Sequence, residues 1–178
     1  FSGCLWAEHA GGTRQPENAN RTGINARNPF LTKENRMTTE QLRRLAAQHL
    51  PQAHYWETDT DEALEGECAM WGRDDCTLLL DLDPAHSEAE AVRFLQQAAA
   101  AVARLQNLRT EIAQTLAAEC SGSLNEAALY VPYLAFYEDG AGGAACDFTV
   151  ADDADALGGQ TAEFALEEHG AVFCGWAE

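Results

Sequence analysis

The sequence predicts an α+β fold, with antiparallel β-hairpins or a small sheet packed against one long central helix. Three observations predict it. Residues 86–120 place apolar side chains every three or four positions, at Val92, Leu95, Ala99, Val102, Leu105, Leu108, Ile112 and Leu116, which is the period of one helix face. Before that stretch, Gly66–Trp71 and Cys76–Leu82 flank Gly72-Arg73-Asp74-Asp75, the pattern of a hairpin. After it, runs rich in aromatic and β-branched residues alternate with turn residues out to Ala177.

The helical stretch carries its own start and stop. Pro84 limits any helix before it, and Ser87 with Glu90 three residues later completes a capping box. Alanine, the strongest helix former, fills much of the interior. Ser121-Gly122-Ser123 ends it. A helix over the whole span is about 50 Å long at ~1.5 Å per residue, longer than a small domain is wide. A bend or break is therefore expected, with Gln106-Asn107 as its place.

The other elements follow in order. Phe1–Glu8 reads as a short strand, and FSGCLWAE resembles AVFCGWAE near the end, as two edge strands of one sheet would. His9–Arg36 is rich in Gly, Asn, Arg and Thr without hydrophobic period, so residues 1–36 read as an extended arm, a linker or a segment foreign to the domain. Met37 reads as a natural start, and residues 37–178 as one compact acidic domain. Thr38 or Thr39 begins a helix that Pro51 ends. His54–Glu57 reads as a short strand or docking segment. Ala128–Tyr137 is a strand in which Pro132 demands an edge, a bulge or a break. Glu138-Asp139-Gly140 is a turn, Ala144–Val150 returns, and Ala151–Gly159 is an acidic loop. Thr161–Glu167 and Ala171–Ala177 frame Glu168-His169-Gly170 as a final hairpin.

Charge narrows the function. The chain has 178 residues and a formal net charge of −18. Residues 1–36 hold five basic residues against three acidic ones, so the remainder carries −20. Such a surface disfavours nucleic acid, whose phosphates need a positive partner, and favours a basic protein. No apolar run approaches a membrane span, so no membrane partner is expected. The six cysteines form no paired C-x-x-C motif. They read as mostly buried thiols of a cytoplasmic protein, with no metal and no cofactor expected.

WGRDDCTLLLDLDP, the long helix, and YVPYLAFYEDGAGGAACDFTV together resemble a group of small bacterial domains of unknown function. Some of these look like immunity proteins encoded beside polymorphic or contact-dependent toxins. The resemblance covers residues 66–178. It implies a non-enzymatic protein that binds a toxin domain, and it carries over no catalytic residue.

The candidate binding residues are acidic or aromatic. Asp152, Asp153 and Asp155 form one cluster in the acidic loop, without the full calcium-loop pattern. Glu163, Glu167, Glu168 and Glu178 form another, and Glu163 and Glu167 share a strand side opposite Phe164 and Leu166. Tyr137 and Trp176 are candidate aromatic anchors, as are Trp71 and Tyr133, though each also suits a core. Asp81, Asp83 and His86 read as a strand exit and helix start rather than a cation site. His49, His54, His169, Cys120 and Cys174 belong to no recognisable catalytic spacing, so no catalytic residue is assigned. The expected function is a cytoplasmic immunity or inhibitor protein. The alternatives are a small hydrolase or metal-dependent enzyme, or a homo-oligomerisation module built on the alanine-rich helix.

Overall fold

The computed structural model describes residues 37–58, 63–83, 85–120 and 124–177. Helix α1 (Thr39–His49) precedes strands β1 (Ala53–Thr58), β2 (Ala63–Met70) and β3 (Arg73–Asp81). Helices α2 (Glu88–Leu105) and α3 (Arg109–Glu119) then lead to β4 (Leu129–Glu138), β5 (Ala144–Asp152), β6 (Thr161–Glu167) and β7 (Gly170–Ala177). The readings of Phe1–Glu8 as a strand, of residues 1–36 as an arm and of Met37 as a start concern a segment mostly outside the described residues.

The fold is α+β, but its strands are not separate hairpins. The seven described strands form a single sheet in sequence order. Five of the six neighbouring pairs are antiparallel, while β3 and β4 run parallel. A parallel pair cannot be closed by a tight turn. The helical stretch supplies the crossover, placing Leu78 beside Leu134 and Leu80 beside Phe136.

The one long helix of the expected fold is two, α2 and α3, and the break falls at Gln106-Asn107, where a bend or break was expected. Residues 106–108 break it, and the break is held by side chains. Gln106 Nε2 donates to the Ala69 carbonyl at 2.7 Å, while its Oε1 accepts from the Trp71 backbone N–H at 3.3 Å. Asn107 Nδ2 donates to the Ala103 carbonyl at 3.0 Å, satisfying an acceptor at the end of α2. The turn between β2 and β3 is pinned to this place. It is the two residues Trp71 and Gly72, both at positive φ (51° and 88°), as a tight hairpin turn requires. The sequence had placed it over residues 72–75. Trp71 is held there because its indole Nε1 donates to the Leu105 carbonyl at 3.0 Å.

Alternation decides what each strand buries. Leu64, Cys68, Cys76, Leu78, Leu80, Leu134, Phe136, Cys146, Phe148 and Phe164 point into one core. The helices close it with Leu45, Ala46, Phe94, Leu95, Ala98, Val102, Ile112 and Leu116. The capping box expected at Ser87 with Glu90 forms, and Thr38, one of the two expected helix starts, forms a second one with Gln41. Pro132 sits in β4, a central strand, where the pairing shifts between Tyr130 and Tyr133. The bulge is what lets a residue without an N–H stand there.

Candidate partner-binding face

All three helices bury their apolar sides in one cluster on one side of the sheet. Among the described residues no helix lies on the other side. The register lays that open face out in rows. Thr77, Tyr133, Thr149 and Glu163 are consecutive partners across β3 to β6. The next row is Leu79, Ala135, Asp147, Ala165 and Val172, and the next sets Asp81 beside Tyr137 beside Ala145. Most of these side chains are half-buried.

The middle row is low because alanines flank Asp147 on both neighbouring strands. A cavity of about 500 Å³ opens here, and Tyr133, Asp147, Thr149, Glu163, Cys174 and Ala177 are among its lining residues. Tyr137 donates its hydroxyl proton to Asp147 Oδ2 at 3.0 Å. Burial holds the Asp147 carboxyl above its usual range, with the Tyr137 hydroxyl pulling the other way. Burial, and after it the same bond to Asp147, pushes the Tyr137 hydroxyl up to about 12. Burial and the Glu65 carboxylate likewise raise Tyr133.

The structure brings together some of the sequence candidates and separates the rest. Tyr137 and Glu163 share the open face. Asp152 ends β5 with Asp153 and Asp155 after it, and Glu167 ends β6 with Glu168 after it, so antiparallel pairing puts the two groups at opposite ends of the sheet. Two of the three loop aspartates are occupied. Asp152 Oδ1 accepts from the N–H groups of Ala154 and Ala156 at 2.7 and 3.0 Å, and Oδ2 from Leu157 at 2.8 Å. It shapes the loop and lets Leu157 reach the core. Asp153 pairs with Arg73 Nη1 at 3.1 Å, and that guanidinium also pairs with Asp75 and lies 4.0 Å over the Tyr130 ring. Asp155 is exposed at φ 56°. Trp176 lies on the core side, at the end of an aromatic series running Phe148, Phe164, Phe173, Trp176 with neighbouring ring centres 5.3–5.5 Å apart. Trp71 is buried and bonded to α2, so it belongs to the core.

The other polar groups resolve into structural roles. His86 Nδ1 lies 2.9 Å from the Asp83 carbonyl and Nε2 2.9 Å from Glu138 Oε1. Both partners only accept, so the protonated ring, with an N–H on each nitrogen, is the form that satisfies both. The bond to Glu138 accordingly holds its pKa above the usual value. Asp83 Oδ1 accepts from the Ala85 N–H at 2.8 Å, the turn expected at this helix start. Of the cysteines, Cys68, Cys76, Cys120 and Cys146 are free thiols. Cys174 is disulfide-bonded, so it is no nucleophile and departs from the thiol reading. Among the described residues no three His, Cys, Asp or Glu side chains gather in a way that would hold a metal ion.

Asp147 and Thr149 are the face residues that the sequence reading missed. The signal was present: in Cys146-Asp147-Phe148-Thr149-Val150 apolar and polar residues alternate, so Asp147 and Thr149 had to face away from the core. Comparison of the chain with family models, curated proteins and solved structures gave no match. No helix among the described residues is long and apolar enough to cross a membrane.

Proposed function

We propose that this chain is a non-enzymatic, cytoplasmic immunity or inhibitor protein that captures a basic protein, such as a toxin domain, on the open face of its sheet. The observation that carries the reading is that face itself: a helix-free surface, among the described residues, that combines Tyr133 and Tyr137 with the carboxylates of Asp147 and Glu163. Tyrosines supply rigid contact area at small entropic cost, and carboxylates steer a basic partner and exclude others. The formal charge of −18 extends the steering over the whole surface. The acidic loop after β5 and the β6–β7 turn are too far apart to form one patch with each other, and serve this reading as a negative rim.

The test is neutralisation. A basic toxin domain encoded beside this gene is expressed with and without the chain in the same cytoplasm. The wild-type chain is expected to restore growth, and Tyr133→Ala with Glu163→Lys to abolish rescue while the chain stays folded by circular dichroism. Rescue that survives changes on this face would move the function elsewhere. Absence of rescue and of binding by the wild-type chain would sink the reading.

A further inference from the structure

We propose that the cavity on the open face is a guanidinium site, taking one arginine side chain of the partner between Asp147 and Glu163 and against the ring of Tyr133. The assignment rests on the reading above for the source of the arginine, a basic protein. Its chemistry comes from the cavity.

Asp147 faces Ala165 across the β5–β6 pair and Glu163 faces Thr149. The two acids are therefore diagonal neighbours on one face, about 7–8 Å apart between Cα atoms. Among the described residues the Glu163 side chain makes no hydrogen bond or ion pair, and the Asp147 side chain uses only Oδ2, toward Tyr137. Three carboxylate oxygens are thus left for a ligand: Asp147 Oδ1 and both of Glu163. A planar cation with several N–H groups in a fixed fork can bond to both acids at once, whereas an ammonium is a compact, strongly hydrated point charge. The walls favour the same choice. Ala177 and the Tyr133 ring leave few polar groups to replace an ammonium's water. Guanidinium is more weakly hydrated and stacks on aromatic faces. The volume of about 500 Å³ admits a whole arginine side chain rather than a single ion.

The test begins with a peptide, which separates this inference from the function it rests on. The full chain, labelled with ¹⁵N, is titrated with a capped Gly-Arg-Gly peptide and with capped Gly-Lys-Gly. The arginine peptide is expected to shift the amides of Tyr133, Asp147, Thr149 and Glu163 saturably at millimolar concentration, with the lysine peptide roughly fivefold or more weaker. The double variant Asp147→Asn, Glu163→Gln keeps side-chain shape and is expected to retain a dispersed spectrum and lose the shifts. Equal response to the two peptides, shifts that persist in the double variant, or no shift at the cavity would each overturn the guanidinium site, whatever the neutralisation assay gives. A second arm measures affinity for the neutralised toxin domain. The double variant is expected to bind roughly tenfold or more weakly. Unchanged affinity overturns the assignment of the cavity to the partner's arginine but leaves the inhibitor reading intact.

Discussion

At the scale of single residues, the sheet tolerates very little change in some places. A Cβ on Gly66 would lie 2.6 Å from Cε3 of the Trp56 indole, so Gly66→Ala forces the ring or strand β1 outward. The expected cost is roughly 1–3 kcal/mol in urea unfolding. Trp56→Leu removes the obstacle, so the two changes together should cost less than their sum. Asp147 is the opposite case. Its raised pKa means the folded chain holds the proton more tightly than the unfolded chain does. Its contribution is therefore favourable below the unfolded carboxyl value of about 3.9 and is lost as pH rises through the folded value. Asp147→Asn is expected to raise the melting temperature at pH 7, with the gain shrinking toward pH 4, while weakening partner binding. A variant more stable but less competent is the mark of a residue kept for recognition. His86 works with the same sign and the other consequence. Its raised pKa gives stability that is complete below the ordinary value of 6.5 and is lost as pH rises through the folded value. The melting-temperature difference between wild type and Glu138→Gln should be largest near pH 6 and should fade by about pH 9. None of these pairings is visible in the sequence, because Gly66 and Trp56, or His86 and Glu138, meet only when the strands and α2 are in place.

At the scale of elements, short-range signals carried much of the structure and long-range ones carried little. The Ser87–Glu90 capping box, the Thr38 or Thr39 start with its Pro51 stop and the alternation in Leu78-Leu79-Leu80 are local patterns, and they read directly into α2, α1 and β3. The two-residue turn at Trp71-Gly72 did not read, since tryptophan at positive φ is disfavoured by its own backbone sterics. Only the bond to the Leu105 carbonyl, more than thirty positions away, makes it acceptable. The same corner depends on Arg109 at the start of α3. Its Nη2 donates to the carbonyls of Ala127 and Leu129 at 2.8 and 2.7 Å, and Nη1 to that of Trp71 at 3.4 Å. One guanidinium thus ties α3, the β2–β3 turn and the beginning of β4. Arg109→Met keeps most of the stem and removes the donors. It is expected to destabilise the chain by roughly 2–4 kcal/mol in equilibrium unfolding, since it strands carbonyls bonded to a charged group. Arg109→Lys should recover only part, because an ammonium cannot bond in three directions across that span.

At the scale of the whole molecule, the open face was only half legible. Tyr137 and Glu163 could be named from their strands, but their neighbours across the sheet depend on strand order. The parallel β3–β4 pairing that sets this order leaves no local mark in the sequence. The acidic clusters at the ends of β5 and β6 were both candidates for the partner in the sequence, and topology set them at opposite ends of the sheet. Charge does act over the whole surface. Association with a basic partner should slow by an order of magnitude or more between low and about 0.5 M salt, with dissociation changing little, as stopped-flow mixing would record. The strand order has a further consequence, for how the chain reaches this shape. β1 to β3 and β4 to β7 are each a meander whose pairings join close neighbours in sequence. Among the described strands, only the ladder from Thr77–Tyr133 to Asp81–Tyr137 must bring distant segments together. Loop-closure entropy makes that seam the slow event. Truncating Leu78 or Leu134 should retard refolding, whereas truncating Phe164 should chiefly hasten unfolding.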